Sequence, residues 1–280
     1  MKGKLYLCAT PIGNLEDMTY RVVRILQEVD LIAAEDTRNS IKLLNHFEIK
    51  TPMTSYHEHN KMVKGAVLVN KLLAGENIAL ITDAGTPGIS DPGEDLVRLC
   101  YEADIEVTSL PGAVALITGL TISGLPTRRF AFEAFLPSDK KERKTILAEL
   151  QTETRTIILY EAPHRLVKTL RELLESLGNR KVSVCRELTK KYETVVRLPL
   201  TEVIEYYQES PPKGECVIVL AGRSQSELMK EKQQAWQELA VENHLQLYIN
   251  QGLDKKAAMK AVAKDRGVSK REIYSQINID

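Results

Sequence analysis

Short aliphatic and β-branched runs alternate with amphipathic helical stretches through most of the chain, and this alternation restricts the fold more than any other feature. The pattern predicts strands over 5–9, 31–34, 78–82 and 106–110, with helices over 20–27, 40–47, 63–73, 94–102 and 114–120. Such a series is the mark of an α/β domain with a largely parallel sheet. It breaks at Ser123-Gly-Leu-Pro-Thr127, a linker-like stretch. A second series follows, with strands over 130–135, 156–160, 181–186, 193–198 and 216–221 and helices over 140–150, 165–177 and 201–207. Its strand-rich end suits a mixed sheet. Beyond Gly222 the strand signal stops; residues 225–250 are polar and helical in pattern, and 252–278 are basic and helical. The expected organisation is an N-terminal α/β domain over 1–122, a C-terminal α/β domain over 123–223 and a helical basic tail over 224–280.

Composition removes several classes. Lys and Arg number 38 against 38 Asp and Glu, which argues against a uniformly cationic nucleic-acid binder and leaves room for a local basic patch. No run approaches the roughly 18 apolar residues of a membrane span, and the apolar stretch after Met1 is too short for a secretory signal. Cys8, Cys100, Cys185 and Cys216 lie far apart without a CxxC pair, the pattern of reduced core thiols in a cytoplasmic protein. Neither a GKS/GKT phosphate loop, a GxGxxG fingerprint, a GxSxG elbow nor an HExxH pair occurs.

The loops after strands carry the chemistry that remains. Residues 81–93, Ile-Thr-Asp-Ala-Gly-Thr-Pro-Gly-Ile-Ser-Asp-Pro-Gly, follow a hydrophobic strand and precede a helix, where open α/β sheets bind ligands. Glycine admits close backbone approach, and proline pre-orders the loop; a rigid connector is the competing reading. Residues 8–14 and 110–115 (Leu-Pro-Gly-Ala-Val-Ala) are two further loops of this kind, and the three suggest one cleft. Ala34-Glu-Asp-Thr-Arg38 and Tyr160-Glu-Ala-Pro-His-Arg165 place charge at the same type of edge. Arg38 and Arg165 suit phosphate groups. Asp36 or Glu35 suits a base, or serves only to orient Arg38 or cap a helix. His57 and His59 lack a third ligand, so no metal is expected.

Residues 9–15, 34–38, 83–93, 111–113 and 160–165 occur in an order that resembles the tetrapyrrole methylase superfamily. Within it they are similar to the bacterial small-subunit ribosomal RNA 2′-O-methyltransferases that modify a decoding-region cytidine. The resemblance covers residues 4–222. It implies two α/β domains with S-adenosylmethionine held in the cleft between them, a homodimer, and 16S rRNA of the small ribosomal subunit as partner. By position, Pro11 belongs to the first cofactor-facing loop. Thr86, Pro87 and Ile89 take the place of the superfamily's Gly-Asp-Pro segment, with Asp83 and Gly85 beside them; the usual aspartate is Thr86 here. Gly112, Ala113 and Val114 match the backbone contacts at the Pro-Gly turn. Tyr160 to Ala162, Leu188 and Gly214 line the second-domain side.

Attack by a ribose hydroxyl gains from a base, and the candidates are Asp36, Glu35 and, behind them, His57, with Arg38 or Arg165 on an adjacent phosphate. The tail favours RNA independently. Over residues 252–274 seven cations (Lys255, Lys256, Lys260, Lys264, Arg266, Lys270 and Arg271) face three carboxylates, a net of +4, on a helix-turn-helix pattern turning at Arg266-Gly-Val-Ser-Lys270. A solvated helical pair that packs a dimer is the plainer alternative, as is an exposed helix start for the basic run over 140–144. Two other functions compete: a tetrapyrrole or small-molecule methylase on the same fold, and a non-catalytic RNA-binding ribosome-assembly factor.

Overall fold

A computed structural model of the chain describes residues 1–277; residues 278–280, the end of the expected tail, lie outside the described residues. The first half runs β1 (Leu5–Cys8), α1 (Tyr20–Glu28), β2 (Leu31–Ala34), α2 (Thr37–His46), β3 (Met53–Ser55), α3 (Lys61–Leu73), β4 (Ile78–Ile81), α4 (Gly93–Glu102), β5 (Val107–Leu110) and α5 (Ala115–Ile122). Its five strands are parallel, in the order β3-β2-β4-β1-β5. Every residue of β4, Ile-Ala-Leu-Ile, is buried, as a central parallel strand covered on both faces requires. Val22, Ile25, Leu26 and Leu44 from α1 and α2 close one face. Leu68, Leu72, Leu96 and Cys100 from α3 and α4 close the other. Because all five strands point one way, the loops that follow them emerge along a single edge.

Two local expectations are corrected. β3 has no strand signal of its own, being three residues behind Pro52; pairing with β2 makes it a strand. α2 starts at Thr37 rather than residue 40, because the Asp36 carboxylate accepts the Arg38 N–H and caps the helix there.

The second series contains β6 (Phe130–Phe135), α6 (Lys140–Glu149), β7 (Thr156–Glu161), α7 (Leu166–Leu177), β8 (Lys181–Arg186), β9 (Thr194–Pro199), α8 (Leu200–Glu209) and β10 (Cys216–Leu220). The sheet is mixed, as expected, in the order β6-β7-β10-β8-β9, with β6 parallel to β7 and the other pairs antiparallel. Leu116 and Leu120 of α5 pack with Ile158, Cys185 and Val217 of this sheet. A Cβ on Gly119 would come within 2.9 Å of Val217. Both sheets therefore belong to one compact unit, Met1–Ala148 with Thr156–Ala221. All four cysteine thiols are buried and free, and burial pushes Cys8, Cys185 and Cys216 up to about 12.

Glu149–Arg155 and the chain from Gly222 onward form the second unit. It contains α9 (Gln225–Gln237), α10 (Val241–Asn250), α11 (Lys255–Arg266) and α12 (Lys270–Ile277). Val241, Leu245, Ala258, Met259, Val262 and Ile273 form its core. Asp254 caps α11 through the Ala257 N–H, and Gly267 ends it at φ 66°, a conformation suited to glycine. Arg266, expected to face RNA, is instead 8 % exposed. Its guanidinium donates to His244 Nδ1 (3.2 Å) and to the Leu239 carbonyl, because it continues the buried i, i+4 line of Ala258 and Val262. Lys255, Lys256, Lys260, Lys264, Lys270 and Arg271 are exposed.

His244 is fully buried and stacks on Trp236 at 4.0 Å. Burial lowers its pKa, against the Asp265 carboxylate, which raises it. Its share of stability is thus present above the ordinary histidine pKa of about 6.5 and is lost as the pH falls through the lowered folded value. Trp236 is the sole tryptophan, so its emission reads this unit directly. Acidification from about pH 6.5 through the lowered folded value should weaken this unit and shift that emission; emission that tracks pH identically in His244→Gln would show that another group carries the change.

Candidate active site

The edge formed by the carboxyl ends of β1–β5 is tied together by backbone. Thr10 and Gly85 exchange N–H···O bonds of 2.9 and 3.0 Å, and the Thr10 hydroxyl donates to the Thr82 carbonyl. Gly85 and Gly88 have φ of 87° and 86°, values that L side chains rarely adopt. The Asp91 carboxylate accepts N–H bonds from Gly88, Ile89 and Gly93, which holds the Gly-Pro loop in one shape. Thr86 donates its hydroxyl to the Ala113 carbonyl at 3.1 Å. That bond joins the Gly-Pro loop to the Pro-Gly turn.

These loops form one wall of a cavity of about 300 Å³. Ile12, Gly85, Thr86, Ile89 and Val114 line this side, and Tyr160, Leu188, Cys216 and Val217 line the other. Glu187, Lys190 and Glu215 add charge. The Tyr160 hydroxyl accepts the Leu116 N–H at the start of α5 (3.1 Å), pinning one wall to the other.

Among the sequence-derived cofactor residues, Gly85, Thr86, Ile89, Val114, Tyr160 and Leu188 line this cavity. The others stand nearby in different roles. Ile12, not Pro11, contributes the wall. Asp83 turns away from it, accepting the Asp36 N–H (3.2 Å) and the Asn39 amide (3.2 Å). Pro87 is buried beneath the loop. Gly112 lets the turn pass β1, since a Cβ there would lie 2.5 Å from that of Ala9. Ala113 acts through its carbonyl. Gly214, at φ 75°, leaves room for Glu187, whose carboxylate would be 2.1 Å from a Cβ. Ala162 donates its N–H to the Glu161 side chain. Glu187, Lys190 and Glu215 carry no sequence signal beyond their closeness to Leu188 and Gly214.

This lining fits S-adenosylmethionine. Gly85 and Gly112 are places where side chains would fill or distort the cradle, the walls are apolar, and the two glutamates suit a cationic ligand. Residues from both walls would hold it, and when bound it supplies an activated methyl group. Gly112→Val should lower its affinity by about 5- to 150-fold, as expected when overpacking costs about 1–3 kcal/mol; titration calorimetry showing wild-type affinity would contradict this geometry.

The charged residues beside the cavity separate into two kinds. Asp36 forms a pair with Arg38 at 2.7 Å, and that guanidinium and the Arg38 N–H hold its carboxyl at about 2. Glu35 is half-buried, and its carboxylate accepts the Asp83 N–H at 3.3 Å. Burial raises its pKa, with like charge from Asp83 and Asp91 adding to the rise and the Asp83 N–H opposing it. Arg38 is largely exposed. Arg165 is partly committed to the protein, donating to the Leu136 carbonyl and lying 3.4 Å from buried Glu161.

The chain is similar to several known proteins in sequence and in fold. The profile of the tetrapyrrole (corrin/porphyrin) methylases matches residues 4–204. Ribosomal RNA small subunit methyltransferase I of Halalkalibacterium halodurans is 50% identical over 98% of this chain and 94% of its own. The protein of that name from Bacillus subtilis is 47% identical over 99% and 94%. Among solved structures, uroporphyrin-III C-methyl transferase from Thermus thermophilus, complexed with S-adenosyl homocysteine, has a TM-score of 0.54 at 21% identity, covering 77% of this chain and 97% of that one. Diphthine synthase has a TM-score of 0.62 at 12% identity, covering 78% and 90%. Among the described residues no helix is long and apolar enough to cross a membrane. The chain belongs to the tetrapyrrole (corrin/porphyrin) methylase family and is an S-adenosylmethionine-dependent methyltransferase.

Proposed function

We propose that the acceptor is 16S rRNA of the small ribosomal subunit and that the methyl group goes to the 2′-hydroxyl of a decoding-region cytidine. One observation carries the choice of RNA. The relatives named ribosomal RNA small subunit methyltransferase I align over 98–99% of this chain, whereas the uroporphyrin-III enzyme covers 77%. The methylase profile ends at residue 204, ahead of the unit with the exposed cations Lys255, Lys256, Lys260, Lys264, Lys270 and Arg271. A small-molecule methylase has no use for such a face; a phosphate backbone does.

In this reading Glu35 is the general base. Its carboxylate takes the proton of the attacking hydroxyl as the oxygen acquires the methyl group. The raised pKa makes it a better proton acceptor than Asp36, which is held as an ion-paired helix cap. Arg38, exposed beside it, meets a neighbouring phosphate. Cavity walls from both sheets exclude water and align the acceptor. The protein acts in the cytoplasm as a homodimer; the exposed Met62 and Val63 of α3 offer apolar surface for a second copy.

Acceptor dependence tests the proposal. Methyl transfer from labelled S-adenosylmethionine should require unmodified small subunits or their RNA. Transfer to uroporphyrinogen in place of RNA would overturn it.

A further inference from the structure

On the second sheet, β6 and β7 run parallel and end side by side. At the end of β6 the register shifts between Phe132 and Phe135, and Ala134 sits at φ 49°. A bulge of this kind re-aims the side chain that follows it. Phe135 is consequently 38% exposed, with its ring 5.6 Å from that of the cavity residue Tyr160. The chain then passes Leu136 and Pro137 and enters α6, which Asp139 caps through the Lys141 and Glu142 N–H groups.

Between α6 and α7 lies a groove of about 620 Å³. Its floor is a satisfied network. Arg143, 7% exposed, donates to Glu172 (2.6 Å) and Thr169 (2.7 Å). Thr169 donates to the buried Glu161. Arg143 neutralises Glu172 and Arg165 lies 3.4 Å from Glu161, while Glu175 is exposed at the edge of the groove. The rim is different: Lys140 and Lys144, one helical turn apart on α6, and Lys168 on α7 are exposed. Lys168 reaches Glu172 only at 3.9 Å. Among the described residues, neither Lys140 nor Lys144 has an ion-pair partner. Lys140, Lys141, Arg143 and Lys144 all fall in the first five residues of α6, where the helix dipole favours anions over cations. The local charge pattern thus works against helix stability, and an anion in the groove would relieve it.

An exposed aromatic ring beside a reaction cavity, continued by a cationic groove, is the arrangement that holds single-stranded nucleic acid: bases stack while the backbone follows the positive track. We propose that Phe135 stacks on a base flanking the target nucleotide and that Lys140, Lys144 and Lys168 bind the phosphates that follow. Phe135 is the link between the two: its ring meets Tyr160 of the cavity, and two residues on Pro137 lines the groove. This inference rests on an RNA acceptor and assigns one path of that RNA.

The test measures binding of the full-length protein to unmodified small subunits over a salt series. It compares wild type with the triple variant Lys140→Gln, Lys144→Gln and Lys168→Gln, and separately with Phe135→Ala. All three lysines are exposed, so folding should survive, and unchanged S-adenosylmethionine affinity of the triple variant verifies this. Loss of three phosphate contacts should reduce the slope of log affinity against log salt by about 2. Phe135→Ala should weaken binding by about tenfold at every salt concentration while leaving the slope alone. Wild-type affinity and slope in both variants would overturn the groove while leaving RNA methylation by the wild type intact. Absence of methyl transfer to RNA by the wild type would overturn the acceptor and the groove together.

Discussion

Glu35→Gln is expected to slow methyl transfer in single turnovers by about 10²- to 10⁴-fold, the usual contribution of a positioned base. Affinity for S-adenosylmethionine should be retained, because Glu35 is not part of the cavity wall. The pH profile gives a second signature. A base with a raised pKa produces a rate that climbs with pH through a value above the ordinary carboxyl range, and the substituted protein should lack that limb.

Stability responds to the same carboxyl with the opposite sign. A carboxyl whose folded pKa is raised stabilises the fold below its unfolded pKa, and that share is lost as the pH rises through the folded value. At neutral pH the ionised Glu35 is therefore a cost, and Glu35→Gln should melt no lower than wild type. A variant that is slow and also melts lower would point to structural damage. The contrasting substitution is Asp36→Asn, which keeps a good helix cap while releasing Arg38. It should stay close to the wild-type rate in single turnovers, and a loss as large as that of Glu35→Gln would move the base to Asp36.

The second large effect belongs to the tail. Replacing Lys255, Lys256, Lys260, Lys264, Lys270 and Arg271 by glutamine should weaken RNA binding most at low salt, with cofactor affinity preserved. Six lost phosphate contacts lower the salt slope by about 4, which is roughly 300-fold in affinity between about 50 and 200 mM salt. Arg266 is left out because its guanidinium is committed to His244 and Leu239. Its replacement should destabilise the unit instead, visible in Trp236 emission. A salt slope unchanged by the six substitutions would remove the tail from the RNA interface.

Most of the architecture is legible in the chain because the period of its hydrophobic residues is a backbone property. β4 and β10 read as continuous apolar runs, and both are buried along their whole length. Met53–Ser55 is illegible for the opposite reason: three residues are too few to display a period, and pairing with β2 decides their state. The start of α2 is encoded, since Asp36 before Thr-Arg-Asn is a capping signal, although the first apolar position comes only at Ile41. The Gly-Pro loop announces the cavity because its backbone conformation needs glycine at Gly85 and Gly88. The opposite wall is quieter. Glu187, Glu215 and Val217 reach the cavity through pairing within the second sheet and through the course of its loops, neither of which leaves a local composition. The burial of Arg266 is readable in retrospect from the spacing of Ala258, Val262 and Arg266. Net positive charge alone hides it, because a count of cations does not say which of them face solvent. The basic run at the start of α6 divides in the same way, with Arg143 in the floor of the groove and Lys140 and Lys144 on its rim.

We propose that this tetrapyrrole-methylase cleft serves ribose methylation on the ribosome. The most direct test is to incubate the protein with methyl-labelled S-adenosylmethionine and unmodified small ribosomal subunits, then map the label by nuclease digestion. One labelled nucleoside is expected, a 2′-O-methylcytidine from the decoding region of 16S rRNA. Label on a base, on RNA outside that region, or on a small molecule with none in RNA would contradict it.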